Sequence, residues 1–477
     1  MSTIAGRRKA PHAAGARIPT RKNLRLVAAT ATAVVLTGGL LAISAGAATA
    51  VAPAKYADDF NGDGYRDYAA WDGNSVTVRY GTAKGPGTKV KTFNQNSPGI
   101  PGTAGDAGGY ADMFGASLAA ADFNRDGYAD LAVGDSSEKV GSRKGQGAVT
   151  IVWGSKAGLS SSATRTLATS PHADHGFGGA LATGDFDGDG KTDLAVTDVT
   201  AVYIYRGGFA KSGTTGKVTR HEPSPGADNT LEPAELVAGK VTKDAATDLY
   251  VLGQGYKNDK MTSVAWFLRG GSTVKAGKFT TYNASSADYS PSGVIADFDK
   301  NGYGDLAVGD KPYNKNAGAV VVLRGGSSGP TTSYRLTQSP ADIATGAGSG
   351  DWFGAALSAG DTNRDGYPDL AVGTPGEKIG TAKGAGGVHI LRGGKKGLTG
   401  AHSQWFSRRT AGVPGTATAY SAFGQLVRLR DFDRDGDADL LVSGSTYTPS
   451  GVLLLAGPSG ITTASAKEIP VTAGFPQ

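Results

Sequence analysis

DFNGDGYRDYAAW from Asp59, DFNRDGYADLAVG from Asp122, DFDGDGKTDLAV from Asp185, DFDKNGYGDLAVG from Asp297, DTNRDGYPDLAVG from Asp361 and DFDRDGDADLLVSG from Asp431 are six copies of one loop. Each runs into a short apolar stretch. Acidic or amide side chains recur at loop positions 1, 3, 5 and 9, and Gly stands at position 6 in every copy. Gly tolerates the positive φ of a sharp bend. Alternating oxygen-bearing residues on such a bend can turn several oxygens toward one point.

That arrangement is an oxygen cage for a hard divalent cation. Calcium takes six to eight oxygens at flexible angles, whereas magnesium demands a stricter octahedron and retains waters. The expected calcium ligands are Asp59, Asn61, Asp63, Tyr65 and Asp67 in the first loop, and Asp122, Asn124, Asp126, Tyr128 and Asp130 in the second. The third supplies Asp185, Asp187, Asp189, Lys191 and Asp193, and the fourth Asp297, Asp299, Asn301, Tyr303 and Asp305. Asp361, Asn363, Asp365, Tyr367 and Asp369 follow, then Asp431, Asp433, Asp435, Asp437 and Asp439. Tyr65, Tyr128, Lys191, Tyr303, Tyr367 and Asp437 serve through the backbone carbonyl. An EF-hand closes with Glu at position 12 between helices. Position 12 here is Ala70, Val133, Val196, Val308, Val372 or Val442, so the loop leads into a strand.

A seventh copy is broken. In GKVTKDAATDLYVLG, Lys240 stands at position 1, Thr242 at position 3 and Ala245 at position 6; only Asp244 and Asp248 remain. No calcium is expected there. Lys240 is expected to pair with Asp244 or Asp248.

First positions at 59, 122, 185, 240, 297, 361 and 431 are spaced by 63, 63, 55, 57, 64 and 70 residues. Each interval holds about four short strands. Blade two is read as Ser117–Ala121, Asp130–Gly134, Ala148–Trp153 and Thr164–Ala168, and blade six as Leu357–Gly360, Asp369–Gly373, Gly387–Leu391 and Ser403–Ser407. Asp-Leu-Ala-Val-Gly is apolar on both faces, as a strand sandwiched between sheets must be. Four-stranded units repeated radially form a propeller. The expected fold is all-β: a seven-bladed β-propeller of four-stranded antiparallel blades. Blades are expected at about 51–113, 114–176, 177–231, 232–288, 289–352, 353–422 and 423–477. Lys55–Asp59 reads as the first strand of blade one and Lys467–Thr472 as the last of blade seven, with Phe475 a frayed end.

Phe114-Gly115, Phe177-Gly178, Phe353-Gly354 and Phe423-Gly424 each lie eight residues before a loop, and Gly373-Thr374-Pro375 is close to Gly-Ala-Pro. On these residues the chain resembles the FG-GAP repeat proteins, including the seven-bladed propeller of integrin α subunits. Blade five departs with Tyr289-Ser290, blade four has no Phe-Gly, and blade one has none before its loop. The resemblance implies a calcium-binding adhesion module. Integrins carry the cation loop in only some blades, whereas six are present here, as in many bacterial relatives.

The first 50 residues carry seven Lys or Arg and no acid, then an apolar run, then Ala48-Thr49-Ala50, a small-residue cleavage site. They read as a signal peptide of a secreted protein, with no membrane attachment after cleavage. Charge follows from this reading. Of 48 basic residues, removing seven leaves 41 against 42 acidic, a net of −1. Nucleic-acid binding is therefore not expected. Six calcium ions would add 12 and bring the charge to +11. That favours an anionic extracellular glycan, cell-wall polymer or protein as partner of a monomeric chain, through long-range steering. Cysteine is absent, so metal rather than disulfides must staple the fold.

Catalytic groups are thin. His172 and His175 form an HxxH without a third ligand, and no nucleophile elbow or phosphate loop is present. Trp71, Trp153, Trp266, Trp352 and Trp405 read as packing residues, and Glu138-Lys139 and Glu377-Lys378 as solvated turns. The function expected is a secreted binding or adhesion module. A carbohydrate-active enzyme on a propeller scaffold and a purely structural extracellular protein are the alternatives.

Overall fold

The computed structural model describes residues 52–105, 113–167, 175–223, 231–339, 343–444 and 450–470. Within them the chain forms seven antiparallel sheets of consecutive strands, arranged as the blades of a β-propeller. The inner strands are Ser117–Ala121, Leu181–Gly184, Glu232–Gly239, Gly293–Ala296, Leu357–Gly360 and Leu426–Arg430. Each pairs with a second strand that opens on position 9 of an acidic loop: Asp130, Asp193, Asp248, Asp305, Asp369 or Asp439. The second strands are buried along both faces, as Asp130–Asp135 and Asp369–Thr374 illustrate.

Ridges of Val, Leu, Ile and Phe from adjacent blades interlock. One such layer joins Ala371, Val388 and Ile390 of blade six to Leu440, Val442 and Val452 of blade seven. Crowding around the axis restricts the inner strands to small residues. The position paired with the Asp at loop position 9 is Ala121, Gly184, Gly239, Ala296 or Gly360, but Arg430 in blade seven. Two residues earlier stand Ala119, Ala182, Val237, Val294 or Ser358, but Arg428 in blade seven. A Cβ on Gly360 would lie 2.7 Å from the Ala438 Cβ, and one on Gly239 2.8 Å from the Ile295 Cβ. These positions therefore face the next blade round the ring.

Blade one corrects one expectation. It has three strands, Tyr68–Trp71, Val76–Thr82 and Gly85–Phe93, and Lys55–Asp59 is not a strand. KYADD offers a single aromatic and no aliphatic pair for an inner strand, unlike SLAAA in blade two. The segment is drawn off instead: the Ala54 N–H donates to Asp122 Oδ2 at 2.9 Å, in the loop of blade two. The position of an inner strand in blade one is thus left to other groups.

The outer strand of blade two runs Ser160–Thr166 and that of blade six Thr399–Phe406, a few residues earlier than the spacing indicates. The last strand of blade seven is Lys467–Pro470, and Phe475 lies outside the described residues, as do the first 50 residues and His172. Among the described residues no helix is long and apolar enough to cross a membrane.

Candidate metal centres

Each acidic loop is built by its own backbone. The N–H at position 6 donates to the carboxylate at position 1, from Gly127 to Asp122 Oδ2 at 3.0 Å and from Gly366 to Asp361 Oδ2 at 2.7 Å. The N–H at position 5 reaches position 3, from Asp126 to Asn124 Oδ1 at 2.9 Å. The N–H at position 7 reaches position 5, from Tyr65 to Asp63 Oδ1 at 2.9 Å. Side chains 1, 3 and 5 are therefore held before any ion arrives.

Position 6 glycines are left-handed, with φ between 81° and 101°. Position 4 is left-handed too: Gly62 and Gly188 in two loops, with φ of 68° and 77°, and Arg125, Lys300, Arg364 and Arg434 in the other four, with φ from 58° to 69°. A non-Gly residue in that region is strained. The side chain gained has a use: it reaches the next blade. Lys300 Nζ lies 5.4 Å from the Tyr367 ring centre, and Arg434 Cζ 4.7 Å from that of Tyr65. The second contact ties blade seven to blade one and closes the ring. Exposed cation–π pairs contribute about 0.5–1 kcal/mol each.

Position 9 does two jobs. Asp130 is fully buried; its Oδ2 accepts from the Phe123 N–H at 3.0 Å and its Oδ1 from the Gly154 N–H at 2.7 Å. It thus ties its own loop to the end of the third strand. Asp193 and Asp439 repeat both bonds. The third strand approaches so closely that a Cβ on Gly154 would run into the Ala129 carbonyl.

Burial pushes the carboxyls of Asp67 and Asp130 up to about 8, against the pull of their backbone donors. Burial likewise raises Asp193, Asp305 and Asp439 to about 6. A cation close by favours the charged form.

The donor set fits such a cation. Ligand oxygens of Asp185, Asp187 and Asp193 lie within 4.8 Å of one another, as do those of Asp431, Asp433 and Asp439. Asp305 Oδ2 and Asp431 Oδ1 are buried without a hydrogen-bond donor, as is Asp244 Oδ1 in the broken loop of blade four. A buried carboxylate oxygen without a donor costs free energy that an ion offsets. The acidic clusters are therefore able to hold metal.

Blade four differs as its sequence indicates. Neither Lys243 nor Ala245 takes positive φ. The expected Lys240 pairing is not what forms: Lys240 Nζ donates to the Ala245 carbonyl, and Arg269 Nη2 meets Asp244 Oδ2 at 3.0 Å. Asp248 keeps its structural bonds to Val241, Thr242 and Gly270. Position 9 survives the loss of the other ligands because the blade needs it.

Arg269 belongs to a set that sequence reasoning missed. Arg206, Arg269, Arg324 and Arg392 each end or directly follow a third strand, before Gly-Gly. Arg206 lies 3.0 Å from Asp187, Arg324 2.6 Å from Asp299 and Arg392 2.8 Å from Asp369. The repeated Arg-Gly-Gly was the available signal. Glu138 and Glu377 are not solvated turns either. Their carboxylates accept from Gln95 and Gln338, at 2.5 and 2.8 Å, and so anchor the connection arriving from the preceding blade. Trp153 and Trp266 are buried in separate blades, while Trp352 is 43% exposed. His175 sits 3.5 Å from Asp198.

Each Phe of the Phe-Gly pairs is buried to 1% or less, and the following Gly has φ between 91° and 96°. Phe177, Phe353 and Phe423 bridge back to Gly147, Gly318 and Gly386 of the preceding blade. The profile of the FG-GAP repeat matches residues 114–152, 177–205 and 353–391, each beginning at such a Phe. The chain carries FG-GAP repeats. Phe423-Gly424 has the same geometry outside the matched stretches.

Rat phosphatidylinositol-glycan-specific phospholipase D is 30% identical over 165 residues, 33% of this chain and 18% of that protein. Mouse integrin alpha-3 is 34% identical over 157 residues, 31% of this chain and 13% of that protein. The chain thus spans under a fifth of either relative. Among solved structures, AofleA from Arthrobotrys oligospora aligns over 76% of this chain and 89% of its own, with 11% identity and a TM-score of 0.37. At that score the likeness carries no argument about function.

Proposed function

We propose that this FG-GAP propeller is a secreted, calcium-loaded binding module for an extracellular partner, an anionic glycan or cell-wall polymer in the first place. The observation that carries the metal reading is the convergence of Asp185, Asp187 and Asp193, and of Asp431, Asp433 and Asp439, whose ligand oxygens lie within 4.8 Å of one another in backbone-built oxygen cages. Calcium suits them better than magnesium, because the set mixes carboxylate, amide and carbonyl oxygens. Six loops have the full donor set and the blade-four loop does not. When bound, the ion supplies charge neutralisation at positions 1, 3, 5 and 9; the chain's own residues set the cage and join strands.

Charge supports an anionic partner. Residues 51–477 carry 41 basic and 42 acidic groups, so ions in the loops leave a cationic surface elsewhere. Binding to a panel of acidic and neutral glycans and isolated cell wall, with calcium and with chelator, tests this reading. Retention on acidic polymers that needs calcium and weakens with salt is expected. Retention on none of them, or equal retention on neutral polymers, overturns the choice of partner.

A further inference from the structure

The side chain at loop position 4 settles on the bend of the next loop round the ring. Lys300 covers Gly366, where an added Cβ would run into Nζ, and Arg434 covers Gly64, where it would lie 3.5 Å from Nη1. Each also faces the ring at position 7, Tyr367 or Tyr65. Arg364 takes the same path into blade seven. Its Nη2 lies 2.9 Å from Asp435 Oδ2 and 3.1 Å from Asp437 Oδ2, at positions 5 and 7. Blade one has Gly62 at position 4, and there the contact comes from blade two. A Cβ on Gly62 would lie 2.8 Å from Tyr128 Cε1, and the Ala129 N–H donates to the Asp59 carbonyl at 2.9 Å.

These contacts join the loops of blades five, six, seven, one and two in an unbroken arc. The arc starts on the loop of blade four, whose Lys243 Nζ lies 4.1 Å from the Tyr303 ring centre. That loop is held by Lys240 and Arg269 and needs no ion. Blade three stands outside the arc. Position 4 of blade two is Arg125 and position 7 of blade three is Lys191, a like charge near enough to be repelled. Lys191 Nζ turns instead to its own Asp189 at 2.7 Å. Lys211 of blade three does reach Asp126 at 3.1 Å, but from the turn before the outer strand and not from the acidic loop. On its other side blade three presents Gly188 to the loop without a cage.

Position 7 is expected to give the cage its backbone carbonyl, so whatever rests on that residue bears on the ligand. Position 4 lies between ligands 3 and 5, and an ion bound by both pins it. The side chain carried there then holds positions 6 and 7 of the next loop in the shape that the next ion needs. Ordering done for one ion is not repeated for its neighbour, which is positive cooperativity.

We propose that Lys300, Arg364 and Arg434 are positioning residues for the calcium site of the following blade, so that blades five, six, seven, one and two fill as one cooperative arc and blade three fills alone. The proposal rests on the calcium reading, and one titration separates the two.

Isothermal titration of the calcium-stripped protein with calcium at fixed ionic strength reads both the number of ions and the steepness of filling. Six ions are expected, five in a phase with a Hill coefficient above one and a single ion outside it. Lys300→Gly and Arg434→Gly suit the left-handed backbone, since Gly already stands at position 4 in blades one and three. Each should keep six ions, weaken the site of the following blade about two- to fivefold, the scale of one exposed cation–π contact, and lower the Hill coefficient. Asp189→Ala, in blade three, should give five ions with the steep phase intact. Asp365→Ala, in blade six, should give five ions and a lower coefficient. Contacts with a purely structural role would lower Tm in both glycine variants and leave the coefficient unchanged, which overturns the proposal. Six ions filling independently, all six filling in one phase, or loss of the steep phase in Asp189→Ala also overturns it, and each leaves the calcium reading standing. Failure to bind calcium overturns that reading and the proposal with it.

Discussion

Replacing Asp248 by Asn separates the structural job of position 9 from metal binding, because blade four has that residue without a cage. The Asp248 carboxylate is fully buried and receives four donors. Oδ2 accepts from the Val241 N–H at 3.1 Å, the Thr242 N–H at 2.7 Å and the Thr242 hydroxyl at 2.9 Å; Oδ1 accepts from the Gly270 N–H at 2.9 Å. An amide keeps one oxygen. With that oxygen toward the three donors, its NH2 faces the Gly270 N–H, and a buried donor loses its acceptor. Losing a hydrogen bond to a charged group costs about 1.5–3 kcal/mol, and a stranded buried donor about 1–3. Relief of carboxylate desolvation offsets part of this, so a net loss of about 2–4 kcal/mol is expected. Denaturant unfolding in calcium and in EDTA should give the same loss. Asp130→Asn should lose a similar amount in EDTA and more in calcium, because one ion site goes as well; at a hundredfold excess over Kd that site contributes about 2.7 kcal/mol. A calcium-dependent penalty for Asp248→Asn, or one under about 1 kcal/mol, would refute the reasoning.

Further outcomes follow from other parts of the ring. Chelation should lower Tm clearly, read by differential scanning calorimetry, since no cysteine is present to cross-link the blades. Gly178→Ala should destabilise by about 2–4 kcal/mol in denaturant titration: φ is 92° and the new Cβ would lie 2.6 Å from the Ala148 carbonyl. His389 is fully buried, and desolvation pushes it down to about 3. The unfolded chain takes up that proton near 6.5 while the native chain does not, so stability should fall as pH drops below 6.5. His389→Gln should flatten this acid limb between pH 6.5 and 3 in stability measured against pH.

Much of the fold was legible because repetition multiplies a weak local signal. One Asp-rich turn is ambiguous, but six at blade spacing set the strand order, and the inner and second strands expected for blades two and six agree with the structure to within a residue. Blade one was misread by the same logic: position before a loop was taken to imply a strand, although Lys55–Asp59 lacks the apolar residues that hold the inner strands elsewhere. Position 4 was missed because Arg and Lys are not the residues that announce a left-handed backbone. The structural role of position 9 was hidden behind its resemblance to a ligand. Asp248 exposes it, being retained where Lys240 and Ala245 have dismantled the rest of the cage. The partners of Arg206, Arg324 and Arg392 lie across a sheet, and only folding brings them together.

Ions are expected in six loops and not in the seventh. Crystals grown in calcium and soaked with a lanthanide would count them directly by anomalous scattering. Six peaks are expected, each between positions 1, 3, 5 and 9 of a loop, with none beside Arg269 in blade four. Peaks in only one or two loops, or a peak at Asp244 and Asp248, would contradict it.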